Sequence, residues 1–257
     1  MFKSYPFKNI KTDFNNKHYI LTGYSSGIGK QIYKDLKSLG AIPILVGRKS
    51  IKNEIFYFCD LRDLAETEIA TFELSKKFKK IDGFIHCAGI NQCVQSDKIN
   101  LDDWQNILNV NLSSAFIISK GVKTNLKKSK NPSVIFFSSI AGHRKSIVSG
   151  VHYVSSKAGL IGMAKQLSHE FGQFGIRVNC VSPGPVKTKL AQKVHTPDIV
   201  KAYHDSIPLN RYGMENEIAE AIFFLSSEKA SYITGQNLSV DGGFEASGVG
   251  LISLRES

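Results

Sequence analysis

No run of about 18 apolar residues occurs anywhere in this chain, so nothing in it has the length to cross a bilayer as a helix. Residues 1–16 mix polar and aromatic side chains and lack the apolar core of a secretory signal. The four cysteines, Cys59, Cys87, Cys93 and Cys180, show neither CxxC nor Cys/His metal spacing, and no metal site is expected from them. Reduced, mostly buried thiols in a cytoplasmic protein fit that pattern. Internal repeats and low-complexity segments are missing too, which excludes a solenoid or a tail-driven binder. The chain is also short of acid, with 33 Lys and Arg against 22 Asp and Glu, for a net charge of +11. Yet the lysines are spread out and no long basic tail exists. The densest clusters, Lys76-Lys77 with Lys79-Lys80 and Lys127-Lys128 with Lys130, fall near the ends of expected helices, where they complement the helix dipole. A nucleic-acid partner is therefore not expected, while an anionic small substrate stays open.

What the chain does have is 257 residues with 42% hydrophobic content, enough for one large α/β domain. The expected division is an irregular leader at 1–16, a single domain at 17–244 with a substrate lid at about 186–212, and a tail at 245–257. Strand-like runs lie at 18–21, 42–46, 55–58, 83–87, 133–137, 176–181 and 237–240. Helical periodicity fills about 28–39, 64–78, 101–126, 152–173 and 217–225. Only about a dozen residues separate Arg48 from Asp60, too few for the usual crossover helix with its loops. The alternation implies a doubly wound parallel sheet of about seven strands, Rossmann-like, with helices on both faces and its ligand at the carboxyl ends of the strands.

The marked residues gather at that rim. After the first strand comes Thr22-Gly23-Tyr24-Ser25-Ser26-Gly27-Ile28-Gly29, a strand, glycine-rich turn and helix that lets backbone approach a pyrophosphate. Ala88-Gly89, Ser138-Ser139 and Pro183-Gly184 each end a strand. Tyr153 and Lys157 open the long helix one turn apart, so both share a face. An ammonium about 4 Å from a phenol, at an effective dielectric of roughly 20, favours the phenolate by up to ~4 kcal/mol. Such a tyrosine exchanges protons near neutrality; an ordinary helix can carry the same pair without any chemistry. Asn111, a polar amide on an apolar stripe, needs partners and is either a structural bridge or part of an active-site network.

Taken together, Thr22-Gly23-x3-Gly27-x-Gly29, Asp60, Ala88-Gly89, Asn111, Ser139, Tyr153-x3-Lys157, Asn179 and Pro183-Gly184-x3-Thr188 resemble the motifs of the short-chain dehydrogenase/reductase family, in order over residues 17–243. The stretch from Ile207 to Gly243 is particularly similar to bacterial 3-oxoacyl carrier-protein reductases. The resemblance implies a catalytic set of Asn111, Ser139, Tyr153 and Lys157. Tyr153 would be the general acid or base, Lys157 would lower its pKa and hold the ribose, Ser139 would hold the substrate oxygen, and Asn111 would fix a proton-relaying water chain. It further implies a dinucleotide held by Gly23, Ser25, Ser26, Gly27, Ile28, Gly29, Arg48, Asp60, Leu61, Ala88, Gly89, Tyr153, Lys157, Pro183, Gly184, Val186 and Thr188. Four departures stand out. His86-Cys87 replaces the usual pair of asparagines, the crossover after Arg48 is short, and a tail follows residue 244. Ser139 lies 14 residues before Tyr153, one more than is usual, which leaves Ser138 and Ser139 both open as the catalytic serine.

The activity that the resemblance implies is interconversion of a ketone and a secondary alcohol with NADP or NAD, run as an NADPH-dependent reductase of the 3-oxoacyl carrier-protein reductase type. NADP is favoured because Gly47-Arg48-Lys49 ends the second strand where an NAD enzyme places an acid, and a guanidinium can hold a 2′-phosphate bidentately. Rival readings are a dehydrogenase of a cyclic diol, sugar or polyol, and a cofactor-binding regulator without turnover. The substrate-pocket walls are expected from Cys93, Val94, Ala141, His143, Ser149, His152, Pro185, Val186 and the lid. In the lid, Lys187, Lys189, Lys193, Lys201 and Arg211 face only Asp198 and Asp205, which favours an anionic substrate. The apolar and small residues of helices 101–126 and 152–173, with Ala158, Gly159, Gly162 and Ala164, exceed what one sheet face needs. A homotetramer, or at least a homodimer, is expected.

Overall fold

The computed structural model describes residues 13–188, 191 and 195–247. Its seven strands are β1 His18–Thr22, β2 Ile42–Gly47, β3 Ile55–Phe58, β4 Gly83–His86, β5 Ser133–Phe137, β6 Arg177–Pro183 and β7 Asn237–Val240. All pairs are parallel, in the order β3-β2-β1-β4-β5-β6-β7. The chain reverses its direction of travel between β1 and β4, so a crevice opens beyond the ends of those two strands.

The strands alternate between two covered faces. Register places Ile44, Ile20, Phe84, Val134 and Val178 in one row across five strands, and all five belong to the same buried cluster. Their neighbours Leu21, Leu45, Ile85 and Ile135 point to the opposite cluster. Burying an aliphatic side chain of this size contributes roughly 1.5–3 kcal/mol, so a one-residue slip of any central strand would forfeit both faces together.

Two helices, α1 Gly27–Ser38 and α7 Glu215–Ser226, cover one face, with Ile32 and Leu36 packed in the same cluster as Ile222 and Phe223. The other face carries α2 Leu64–Lys77, α3 Leu101–Leu108, α4 Ser114–Gly121 and α5 Val151–Gly172. A last helix, α6 Pro197–Ser206, belongs to the lid and starts at Thr196, whose hydroxyl accepts from the Ile199 amide. Between β2 and β3 the chain runs through bends and turns without a helix, as the spacing requires. All four cysteines are free thiols. No described helix is long and apolar enough to cross a membrane.

Several expectations change. The helix expected over 101–126 is broken: α3 widens into a π turn at Asn109–Ser113 before α4 resumes, and a separate turn follows at Lys123–Leu126. Periodicity could not reveal this, since a π turn adds one residue to the winding without altering the residues themselves. Of the leader, Asp13 and Phe14 are helical and buried. Phe14 meets Tyr19 and Phe223 at ring distances of 5.4 and 5.3 Å. Residues 1–12, the lid residues Lys189 and Lys193, and residues 248–257 lie outside the described part.

Candidate active site

The glycine-rich turn is shaped by its contacts. Gly23 adopts φ +72°, and a Cβ there would sit 2.5 Å from the Ala88 amide nitrogen. A Cβ on Gly29 would meet the Gly23 carbonyl oxygen at 2.1 Å. These two glycines let β1, α1 and the end of β4 close on one another, which brings Ala88 and Gly89 to the turn. Ser26 caps α1 without a side-chain hydrogen bond, leaving the helix N-terminus available to an anion.

Under the turn sits His86, fully buried. Its Nε2 lies 3.2 Å from the Val110 carbonyl, which can only accept, so Nε2 carries the proton and Nδ1 accepts from the Thr22 hydroxyl at 3.0 Å. Thr22 in turn accepts from the Ala88 amide at 3.2 Å. One tautomer therefore joins β1, β4 and the π turn. Burial, with the Lys157 charge nearby, pushes the imidazole down to about 3 and keeps it neutral.

Asn111 lies within the π turn and is fully buried. Its side chain accepts from the Ile90 amide at 2.9 Å and donates to the Ile90 carbonyl at 3.0 Å and to Ser156 Oγ at 3.0 Å. Ser156 donates to the Tyr153 carbonyl at 2.7 Å. Asn111 thus clasps the loop after β4 to the first turns of α5, and it does not line the cleft.

The two serines divide. Ser138 is buried and donates to the Lys157 carbonyl of α5 at 2.8 Å. Ser139 caps the turn Ile140–Gly142, its Oγ accepting from the Ala141 amide at 3.1 Å, and its side chain stands beside the Tyr153 phenol. Ser138 is thus tied to the helix backbone and Ser139 is the one beside Tyr153.

Tyr153 and Lys157 share a face of α5, but the electrostatics differ from expectation. Burial raises the Tyr153 phenol, opposed by the Ser139 hydrogen bond. Lys157, 2% exposed, donates from Nζ to the Phe137 carbonyl at 2.7 Å and stands 5.6 Å from the Tyr153 ring centroid. Desolvation lowers the ammonium to about 8. The anticipated depression of the phenol by Lys157 is not what this arrangement produces, because the ammonium is spent on a backbone carbonyl and its own burial dominates. It does reach the turn: a Cβ on Gly89 would lie 3.3 Å from Nζ.

At the far end, Asp60 follows β3 and is gripped by Arg62, whose Nε donates to both carboxylate oxygens at 3.0 and 3.1 Å. That contact, with Arg48 contributing from 3.8 Å, holds the Asp60 carboxyl below its usual range. Arg48, 61% exposed at its side chain, keeps no closer partner among the described residues. Thr188 accepts from the Ala191 amide at 3.1 Å, Val186 bridges to Gly213, and a Cβ on Gly184 would stand 2.7 Å from Asp241 Cβ.

These groups line one cleft of about 990 Å³. Every residue of the expected catalytic and cofactor-binding sets borders it except Asn111 and Lys157, which are buried beneath. Of the expected walls, Ala141, Ser149, Pro185 and Val186 line it, whereas Cys93, Val94, His143 and His152 do not. His152 is buried, accepting from the Tyr153 amide at 3.0 Å and bonded to Gln92 at 3.2 Å. His143 is paired with Glu245 at 2.9 Å. Sequence reading missed Tyr24, Arg144 and Phe244 as cleft residues, whereas Tyr203 comes from the expected lid; all four border the cleft. No periodicity marks the three that were missed, because turns and loops bring them in from separate places. Arg211 is also corrected: it pairs with Glu217 at 2.6 and 2.8 Å and is not a free lid cation.

A family model described as enoyl-(acyl carrier protein) reductase matches residues 23–245. The chain is 35% identical to the 3-oxoacyl-[acyl-carrier-protein] reductase FabG of Buchnera aphidicola subsp. Schizaphis graminum over 237 residues, 88% of this chain and 96% of that protein. Against the protein of the same name from Chlamydia trachomatis it is 33% identical over 244 residues, 89% and 97% of the two chains. Among solved structures, a short-chain dehydrogenase of Leptospira borgpetersenii with bound NAD+ superposes with a TM-score of 0.84 at 28% identity, covering 95% of this chain and 99% of the other. The aldohexose dehydrogenase of Thermoplasma acidophilum gives 0.83 at 26%, covering 91% and 96%.

Proposed function

The chain belongs to the short-chain dehydrogenase/reductase family, and from that premise we propose that it is an NADPH-dependent ketone reductase of the 3-oxoacyl thioester type, with Tyr153 as its proton donor. The observation that carries the reading is the meeting of Ser139 and Tyr153 in the cleft that also holds the glycine-rich turn, with Lys157 beneath.

The residues fit a dinucleotide. Gly27, where a Cβ would meet nothing closer than 3.9 Å, leaves the turn open to the cleft, the uncapped N-terminus of α1 suits a pyrophosphate, and Arg48 suits a 2′-phosphate. When bound, the nicotinamide supplies the hydride. The chain's own part is position and proton transfer. Ser139, its Oγ already accepting from Ala141, would turn its hydrogen from the Tyr153 phenol to a substrate carbonyl oxygen. Tyr153, kept protonated by burial, donates the proton that the developing alkoxide requires. Lys157, charged below about pH 8, would present its ammonium to the ribose side beside Gly89, where a Cβ would lie 3.3 Å from Nζ. Asn111 holds the Ile90 loop against α5, which fixes the distance between the two walls.

NADP is favoured over NAD because the carboxylate nearest Arg48, Asp60, is already neutralised by Arg62. The reverse reaction, oxidation of a sugar or polyol, uses the same groups. The weight for reduction comes from relatives named as 3-oxoacyl reductases that align over nearly their whole length. The reading places the protein in the cytoplasm, as a homotetramer built on the α3, α4 and α5 faces. Replacing Tyr153 by Phe is expected to keep the fold and cofactor affinity and to lower NADPH-dependent turnover of a 3-oxoacyl thioester by at least ~100-fold. Turnover near that of the unmodified protein would refute the assignment.

A further inference from the structure

The cleft extends past the reacting groups. After the turn Ile140–Gly142 the chain carries Arg144 along a wall shared with His195, Tyr203 and Phe244. Arg144 is half-buried. Its Nη1 donates to the Phe244 carbonyl at 3.0 Å, and the guanidinium lies over the Phe244 ring, 4.6 Å from the centroid. Tyr203 meets Phe244 at 5.6 Å and stacks on His195 at 5.4 Å, and it feels the Arg144 charge. A cation is thereby held in one orientation against an aromatic wall.

The carboxylates that could neutralise it are engaged elsewhere. Asp241 accepts from the Gly243 amide at 2.9 Å and the Glu245 amide at 2.8 Å. Glu245 pairs with His143 at 2.9 Å and accepts from Ser239 at 2.5 Å. Among the described residues Arg144 forms no ion pair, and of its five N–H groups one is committed. A partly desolvated guanidinium without a carboxylate, bordering a cleft, is a receptor for an oxyanion. With Arg211 tied to Glu217, Arg144 becomes the best-placed described cation for the substrate half.

Resting on the reductase reading for the identity of the site, we propose that Arg144 is a specificity-determining residue that receives an oxyanion of the substrate remote from its carbonyl. Two sources share that chemistry: the phosphate on the arm of a carrier-bound thioester and the carboxylate of a small keto acid.

Two substrate pairs that differ only in charge separate the sources: acetoacetyl-4′-phosphopantetheine against acetoacetyl-pantetheine, and 5-oxohexanoate against its methyl ester. The charged member of one pair is expected to show a kcat/KM at least about tenfold higher, the scale of one charge-assisted contact. In Arg144→Gln that ratio should fall towards one, and Arg144→Lys should retain part of it. A ratio unchanged in Arg144→Gln, or no preference in either pair, overturns the proposal. Binding is read apart from turnover, by calorimetry of free 4′-phosphopantetheine and of 5-oxohexanoate with the unmodified protein and Arg144→Gln. If none of the four compounds is reduced, the reductase reading falls, and a saturable heat lost in Arg144→Gln still supports the oxyanion site. Equal heats in both proteins, or none in the unmodified one, overturn it.

Discussion

His86 and Lys157 are both buried bases with lowered pKa values, yet they serve opposite ends. His86 is neutral and structural: a single tautomer satisfies Thr22 and Val110, so the position asks for a side chain with one donor and one acceptor. His86→Leu leaves the Val110 carbonyl and the Thr22 hydroxyl without that partner and is expected to cost about 2–4 kcal/mol, whereas His86→Asn should recover part of it. Denaturant unfolding measures both, and equal losses in the two variants would count against the bridge. In the proposed mechanism Lys157 must keep its charge to act. Its folded pKa of about 8 lies below the ordinary 10.5, so between those values the folded protein is neutral there while the unfolded chain is still protonated. This residue's contribution to stability therefore rises with pH over that window and is lost as pH falls through about 8. Turnover should move the other way, declining above about pH 8 while Tyr153 remains protonated. A kcat/KM profile that stays flat through that region would contradict the role given to the ammonium.

At the scale of elements, the proposed preference for NADP turns on the crossover between β2 and β3. Without a helix there, the chain passes straight from Arg48 to β3 and sets Arg48 within 3.8 Å of Asp60. Asp60 would repel a 2′-phosphate if it were free, but Arg62 holds it. Arg48→Ala is therefore expected to lower the preference for NADPH over NADH by about tenfold or more, the value of one bidentate charge-assisted contact. Steady-state kinetics with both cofactors and one ketone checks this; NADH preferred by the unmodified protein would reverse the assignment. The π turn is the second decisive element. It sets Asn111 inward, bonded to Ile90 and Ser156. The sequence marks Asn111 as a polar residue that needs partners, but the choice between bridge and network is made by the extra residue in that turn.

For the whole molecule, the face opposite the sheet on α2 to α5 is unevenly finished. Leu101 is 84% exposed, Ile69, Phe72, Phe116 and Val151 are exposed as well, and a Cβ on Gly162 would meet nothing within 4 Å. Such an apolar face with open space over a small residue is suited to a second copy. Sedimentation at micromolar concentration is expected to give a homotetramer, and Phe116→Asp should shift it to smaller species while leaving helical content intact. A monomer in the unmodified protein would remove the idea.

Strand alternation, the glycine-rich turn and the Tyr153-x3-Lys157 spacing were legible in the sequence because each is a local pattern whose period or backbone requirement does not depend on distant residues. The seven parallel strands and the gathering of the marked residues at one rim follow from that alternation. What only the tertiary structure decided is which partner each polar group takes: between distant segments, Ser139 and not Ser138 beside Tyr153 and Arg144 held by Phe244; within loops, Asp60 neutralised by Arg62 and Arg211 bound to Glu217. Each depends on which of several available partners lies closest once the sheet and its loops have packed. Even where that partner is near in sequence, as Arg62 is to Asp60 and Glu217 to Arg211, spacing in a loop has no fixed period and does not say which way the side chain turns.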